Sequence, residues 1–263
     1  MGIVSAAIYQ TLLSNQRVYR AQTQRVELND NLRSALSVLP GEFRELNSSD
    51  PAGSDIIAMG DSAITYKVMR NLYFACKDAT GSEVVVDTAT IGLRPLSADL
   101  DSVLIFADSN TNTTRDDRWI HADIDKVELS KDCAGGAPGL KLTISAKIEE
   151  LDSVLAGSPV RAFETVEARS YSDAGGALWL GARRWSKSTG WSGLQPLFGP
   201  LASGGLRFGY YDEFGNVTTD RTKVARIAIT VKARTSEAVQ LSGGGIGYLV
   251  DSMVTQAALR NNR

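Results

Sequence analysis

The sequence predicts an α+β protein, in which one long N-terminal α-helix packs on a mainly antiparallel β domain. Two observations carry this. Between Ile3 and Leu39 the chain holds no proline and no glycine, and good helix formers such as Ala6, Ala7, Leu12, Leu13, Gln22, Glu27 and Ala35 dominate. Beyond residue 54 apolar residues come instead in short runs, several of them alternating, separated by Gly, Asn, Asp and Pro clusters.

The helix divides into two parts. Residues 1–16 carry no charge and are apolar on every side, whereas Leu28, Leu32, Ala35, Leu36 and Leu39 fall on one face of a 3.6-residue period opposite Arg25, Asp30, Arg33 and Ser37. The expected organisation is a helix over 1–46, apolar over about 1–16 and amphipathic over about 17–39, and a β-rich domain over 54–263. Pro40-Gly41 is expected to kink or interrupt the helix before a last turn at Glu42 to Leu46. Asn47 to Gly53 reads as a loop.

Strands are then expected at Ala63–Met69 with a continuation over Asn71–Ala75, at Val84–Val86, Ser102–Phe106, Trp119–Ile124, Lys126–Leu129 and Leu140–Ile148. Val160–Tyr171 and Ala177–Trp185, joined by Asp173-Ala174-Gly175-Gly176, form a hairpin. Gly204–Tyr211 and Val224–Ala233 complete a meander, and Ser242-Gly243-Gly244-Gly245 reads as a flexible loop before a C-terminal tail.

With 263 residues, 43% hydrophobic and 22% charged, the composition is that of a folded globular chain with ample core. A net charge of −2 without a basic stripe argues against a nucleic-acid partner. The N-terminal stretch has no basic region ahead of it and no cleavage site behind it, as a secretory signal would need, and alone it falls short of the roughly 20 apolar residues of a membrane span. Cys76 and Cys133, without a CxxC pattern or a histidine cluster, make no zinc site; two buried thiols and one disulfide both remain open at this point.

No catalytic set emerges. Gly190-Trp191-Ser192-Gly193-Leu194 lacks the last glycine of a nucleophile elbow, and the chain's single imidazole, His121, sits in an expected strand. Ser242 to Gly247 completes no phosphate-binding pattern. The oxygen-rich run Asp108 to Asp117 lacks the glycine and terminal glutamate of a calcium loop, and Glu149, Glu150 and Asp152 read as a wet surface. Four tryptophans, Trp119, Trp179, Trp185 and Trp191, allow a second, non-catalytic reading: a secreted carbohydrate-binding or adhesive β module with Trp185 and Trp191 as its platform.

Several stretches carry a family resemblance. "GIVSAAIYQTLLSNQRVYRAQTQ" with "NLRSALSVL" is similar to the distal part of the type IV pilin-like helix. "SAITYKVMRNLYFAC", "LIFADSNTNTTRDDRW", "QPLFGPLASGGLRFGYYDEFGN" followed by "VARIAITVKAR", and "DSMVTQAALRNN" resemble the body of the larger minor pilins and pseudopilins, of the PilW and type II secretion pseudopilin J kind. The resemblance implies a non-enzymatic subunit, without cofactor or metal, that initiates or caps a type IV pilus or a type II secretion pseudopilus. Its implied partners are other minor subunits, the major subunit, the inner-membrane assembly platform and the prepilin peptidase; no nucleic acid is among them. It implies an inner-membrane single-pass helix with an extracytoplasmic domain. Ile3, Val4, Ile8, Leu12 and Leu13 would then lie in the membrane or filament core, and Leu28, Leu32, Leu36 and Leu39 would seat the helix on the domain. An extracytoplasmic domain in turn favours a Cys76–Cys133 disulfide.

The chain departs from the family at its start: no basic leader and no glycine-phenylalanine processing site followed by an early glutamate is present, so no processing residue is carried over. The expectation is that Met1 is internal to the natural helix. About a dozen further apolar residues ahead of it would complete a span of roughly 20.

Overall fold

The computed structural model describes residues 2–49, 53–88, 91–92, 94–108, 112–113, 117–146, 151–241 and 245–259. One helix, α1 (Gly2–Arg44), precedes strands β1 (Ile56–Met59), β2 (Ala63–Phe74), β3 (Glu83–Asp87), β4 (Ile91–Gly92), β5 (Asp101–Ala107), β6 (Arg118–Ser130), β7 (Gly139–Ile144) and β8 (Pro159–Ser172). The remaining strands are β9 (Leu178–Ser186), β10 (Gly190–Trp191), β11 (Gln195–Tyr211), β12 (Arg226–Arg234), β13 (Val239–Gln240), β14 (Ile246–Gly247) and β15 (Val250–Ala258).

Among the described residues thirteen strands are linked in one pairing system, whose long path runs β15-β12-β11-β9-β8-β5-β6-β7-β3, and every pairing in it is antiparallel. This corrects the expected α+β, pilin-like class. Among the described residues strand makes up 49% and helix 20%, so the protein is mainly antiparallel β with one α-helix, and its sheet is larger than a small pilin-like domain holds. The physical reason lies in strand length. Runs read as separate short strands merge, as Trp119–Ile124 and Lys126–Leu129 do in β6, and the 17 residues of β11 bend through Pro196, Pro200 and Gly205 instead of ending there.

The sheet forks at β8. β5 pairs with its first half, from Asp101↔Glu164 to Ile105↔Val160, and β9 with its second half, from Val166↔Arg184 to Ser172↔Leu178. On its other side β8 is lined by β2 from Pro159 to Arg169. Each prong builds its own core. Under one prong Val160 and Ala162 meet Val103, Ile105, Ile120, Leu142 and Val84; under the other Val166 and Ala168 meet the helix and β11–β12. β2 serves both cores because its register shifts between Met69 and Asn71, so that Ile64, Tyr66 and Val68 face one core and Asn71 and Tyr73 the other. A second shift, between Leu201 and Leu206 of β11, brings the backbone so close that a Cβ on Gly205 would collide with the carbonyls of Lys232 and Ala202.

The helix covers the β11–β12–β15 end of the sheet. Leu28, Leu32, Leu39 and Phe43 are buried there and Leu36 is partly buried against them, each full burial contributing about 1.5–3 kcal/mol. Phe43 packs edge-on against Tyr66 at 5.1 Å and Phe208 at 6.1 Å. The helix runs through Pro40 to Arg44 without the expected interruption. Proline removes one intrahelical hydrogen bond, and the burial of Pro40 and Phe43 offsets it. Cys76, just after β2, and Cys133, after β6, are joined by a disulfide beside β3, where the Cys76 N–H donates to the Val85 carbonyl.

The expected inner-membrane single-pass helix is also corrected. No helix among the described residues is long and apolar enough to cross a membrane. The cause is local: Gln10, Ser14, Asn15 and Gln16 thin out the apolar run, and Arg17 and Arg20 end it.

Candidate functional site

The helix engages the domain at only one end. Its seat begins at Gln24, a buried side chain whose Oε1 accepts from the Ser236 hydroxyl at 3.0 Å and the Glu237 N–H at 3.2 Å, clamping the loop after β12. Upstream of Gln24, described side chains stand in solvent: Val4 is 65% exposed, Ile8 57% and Leu12 56%, with Tyr9, Val18 and Tyr19 exposed and Leu13 half-buried. The Ile3 side chain lies outside the described part. The 22 helical residues Gly2–Thr23, at 1.5 Å rise each, make this arm about 33 Å long. Val4, Ile8 and Leu12 recur at i, i+4 and i+8, so the exposed apolar side chains form a stripe rather than the isolated positions that are ordinary on a surface.

The second feature is an ion cluster at the fork of the sheet. Glu164 is 2% exposed and accepts Arg70 at 2.5–2.6 Å through one oxygen and Arg94 at 2.8 Å through the other. Arg94 also grips Asp101 with both guanidinium nitrogens, at 2.8 and 2.6 Å, and Asp101 accepts the Ser97 N–H at 2.7 Å. Hydrogen bonding to Asp101, and less strongly to Glu164, holds Arg94 charged well beyond its ordinary range. Where β5 leaves β8 and β9 joins it, side chains of both prongs converge on one buried carboxylate. Tyr66, whose hydroxyl donates to Glu42 of the helix, closes the cluster; burial, and then the Glu42 charge, raises its pKa. Removing one partner of such a cluster would strand a buried charge, at a cost of about 3–5 kcal/mol.

The cluster floors a cleft of about 490 Å³ between helix and sheet, walled by Val38, Val166, Ala182 and Leu197 with Arg184 at its side. Sequence reasoning missed it because its members lie far apart in the chain. The available signal was Glu164 itself, an acid on the inward parity of Val160, Ala162, Val166 and Ala168.

The remaining sequence candidates separate. Trp185 and Trp191 meet edge-on, with ring centres 5.3 Å apart and planes at 75°, and the Arg183 guanidinium lies 4.7 Å over the Trp191 ring. They present no coplanar pair of open faces on which a sugar would stack. The Ser192 hydroxyl accepts from the Arg184 N–H at 3.0 Å and donates to the Gly193 carbonyl at 3.2 Å, which is turn chemistry. His121 stands on β6 with its ring 5.4 Å from that of Phe163. Its side chain is exposed at the surface of the strand, and partial desolvation against Phe163, and then the Lys67 charge, lower its pKa against the opposing pull of Asp123. Among the described residues no His, Cys, Asp and Glu grouping could hold a metal. Most of the Asp108–Asp117 run, Glu149, Glu150 and Ser242 to Gly244 lie outside the described residues.

The class these features define is a mainly antiparallel β protein with an N-terminal helix that is seated at one end and exposed at the other. No protein-family model matches the sequence, and comparison with curated proteins and with solved structures gives no match.

Proposed function

We propose that this chain is a non-enzymatic filament subunit, a minor pilin or pseudopilin that initiates or caps a type IV pilus or a type II secretion pseudopilus beside other minor subunits and the major subunit. The observation that supports the reading is the divided helix. Its second half is locked to the sheet by Leu28, Leu32, Leu39 and Phe43, while its first half holds Val4, Ile8 and Leu12 out of any core of its own. Such an arm lowers its free energy by packing against like helices of neighbouring subunits, at about 25 cal/mol per Å² of apolar surface covered. The sheet stays outside that bundle and meets other partners.

The test is the double variant Ile8→Asp with Leu12→Asp, together with a photo-crosslinking residue at position 12 of the otherwise unchanged chain. In the producing cells the double variant is expected to keep the unfolding temperature of the parent and to lose filament assembly, and the crosslinker to capture helices of other subunits. Filaments assembled normally by the double variant would overturn the proposal.

A further inference from the structure

We propose that the cleft at the fork of the sheet binds a carboxylate carried on a short apolar group, with Arg184 taking its charge. On the sheet side of the cleft three guanidiniums, Arg70, Arg94 and Arg184, surround two buried carboxylates, Glu164 and Asp101. Arg70 and Arg94 hold these acids at 2.5–2.8 Å. Arg184 reaches Glu164 only at 4.0 Å, and its side chain remains 52% exposed. With Glu42 the acids balance the three guanidiniums, and Arg184, at the mouth, is the one of the three that no carboxylate holds at close range. The neighbouring charges are engaged elsewhere: Arg183 pairs with Glu167 and covers Trp191, and Glu42 takes the Tyr66 hydroxyl and faces Arg70 at 4.0 Å.

The walls select what accompanies the charge. Val38 from the helix and Leu197 from β11 are both about half exposed at the rim, with Val166 and Ala182 deeper, so the cleft offers apolar contact around a single guanidinium. A volume of about 490 Å³ falls within the range of small-ligand sites, roughly 300–1,000 Å³. A planar carboxylate matches the fork of a guanidinium. A phosphate dianion would bring two charges beside Glu164 and Glu42 against the single exposed guanidinium of Arg184. The chemistry fits either the C-terminal residue of a peptide or a free short-chain acid, and it does not depend on whether the helix assembles into a filament.

The test is titration of the full chain with N-acetyl-leucine and with hexanoate, followed by calorimetry and by the amide signals of Ala182 and Leu197. Saturable binding at millimolar concentration is expected for at least one of them, and N-acetyl-leucinamide, which lacks the charge, should not bind. Tighter binding of N-acetyl-leucine assigns the site to peptide C-termini, and tighter binding of hexanoate to acyl acids. Arg184→Gln, at a half-exposed position, should weaken binding about tenfold or more with unchanged thermal unfolding. Val38→Glu, which puts a like charge at the rim, should abolish it. No saturable binding of either acid, equal binding of the amide, or full affinity in Arg184→Gln would each overturn the assignment.

Discussion

Replacing Leu32 by alanine separates the seated half of the helix from the exposed half. Leu32 is 0% exposed and lies in the core shared by helix and sheet. Leucine to alanine removes three carbons, and at about 0.8 kcal/mol each the lost burial is about 2.4 kcal/mol. Space that does not collapse raises the total to about 3–4 kcal/mol. For a protein of this size that corresponds to a fall of about 10 °C in Tm. Leu12→Ala is the internal control: the side chain is 56% exposed, so its loss should change stability by no more than about 0.5 kcal/mol. Urea unfolding of both variants measures the difference as a shift in midpoint at constant slope. Equal, small effects would refute the reasoning, because they would mean that the helix is not held by this core. A large effect of Leu12→Ala would equally show that the arm has a partner within the chain.

The other predictions concern the disulfide and the far face of the sheet. Reducing the Cys76–Cys133 bond, which closes a loop of 57 residues, should cost about 4 kcal/mol by the loop-closure relation. The readout is the urea midpoint with and without reductant, and an unchanged midpoint would count against the bond. His121, exposed on β6, should make a small contribution to acid sensitivity. Its folded pKa lies below the ordinary 6.5, so the unfolded chain takes up the proton first, and stability, complete above that value, declines as pH falls through it towards the lower folded pKa. His121→Gln should flatten this part of the stability–pH curve, and an unaltered slope would remove His121 as its source.

How far the sequence could be read depended on whether a residue's neighbours were near in the chain. The helix seat was legible because Leu28, Leu32, Ala35 and Leu39 repeat with the helical period, and most of β12 was legible because Ile227, Ile229 and Val231 alternate with Arg226, Thr230 and Lys232. β15 was missed and read as a tail. It is an edge strand that pairs with β12 from Ala258↔Arg226 to Val250↔Arg234, yet nearly all its side chains are exposed, so no alternation marks it. The class was misjudged because strand continuation through Gly and Pro, as in β11, depends on which strand lies alongside. Of the fork cluster, only the acid at position 164 broke a local rule; Arg70, Arg94, Asp101 and Arg184 became its neighbours only through the β2–β8, β5–β8 and β8–β9 pairings. The Gln24 clamp had no local signal at all, since a glutamine on a helix says nothing about a loop more than two hundred residues away.

The register shift in β2 also bears on how the gene tolerates change. Before it, even-numbered side chains point into the protein, as Ile64, Tyr66 and Val68 do; after it, odd-numbered ones do, as Asn71, Tyr73 and Ala75 show. Arg70 is the uncounted residue between the two halves, and it spends its side chain on Glu164 at the place where the prongs part. Codon 70 therefore acts as a punctuation mark within a strand. Substitutions there would be felt as a lost ion pair, whereas loss of the codon would close the bulge into plain alternation: Asn71 would follow Met69 directly, and Asn71 and Tyr73 would keep facing inward. Loss of codon 72 instead would exchange inside for outside beyond it and turn Tyr73 to water.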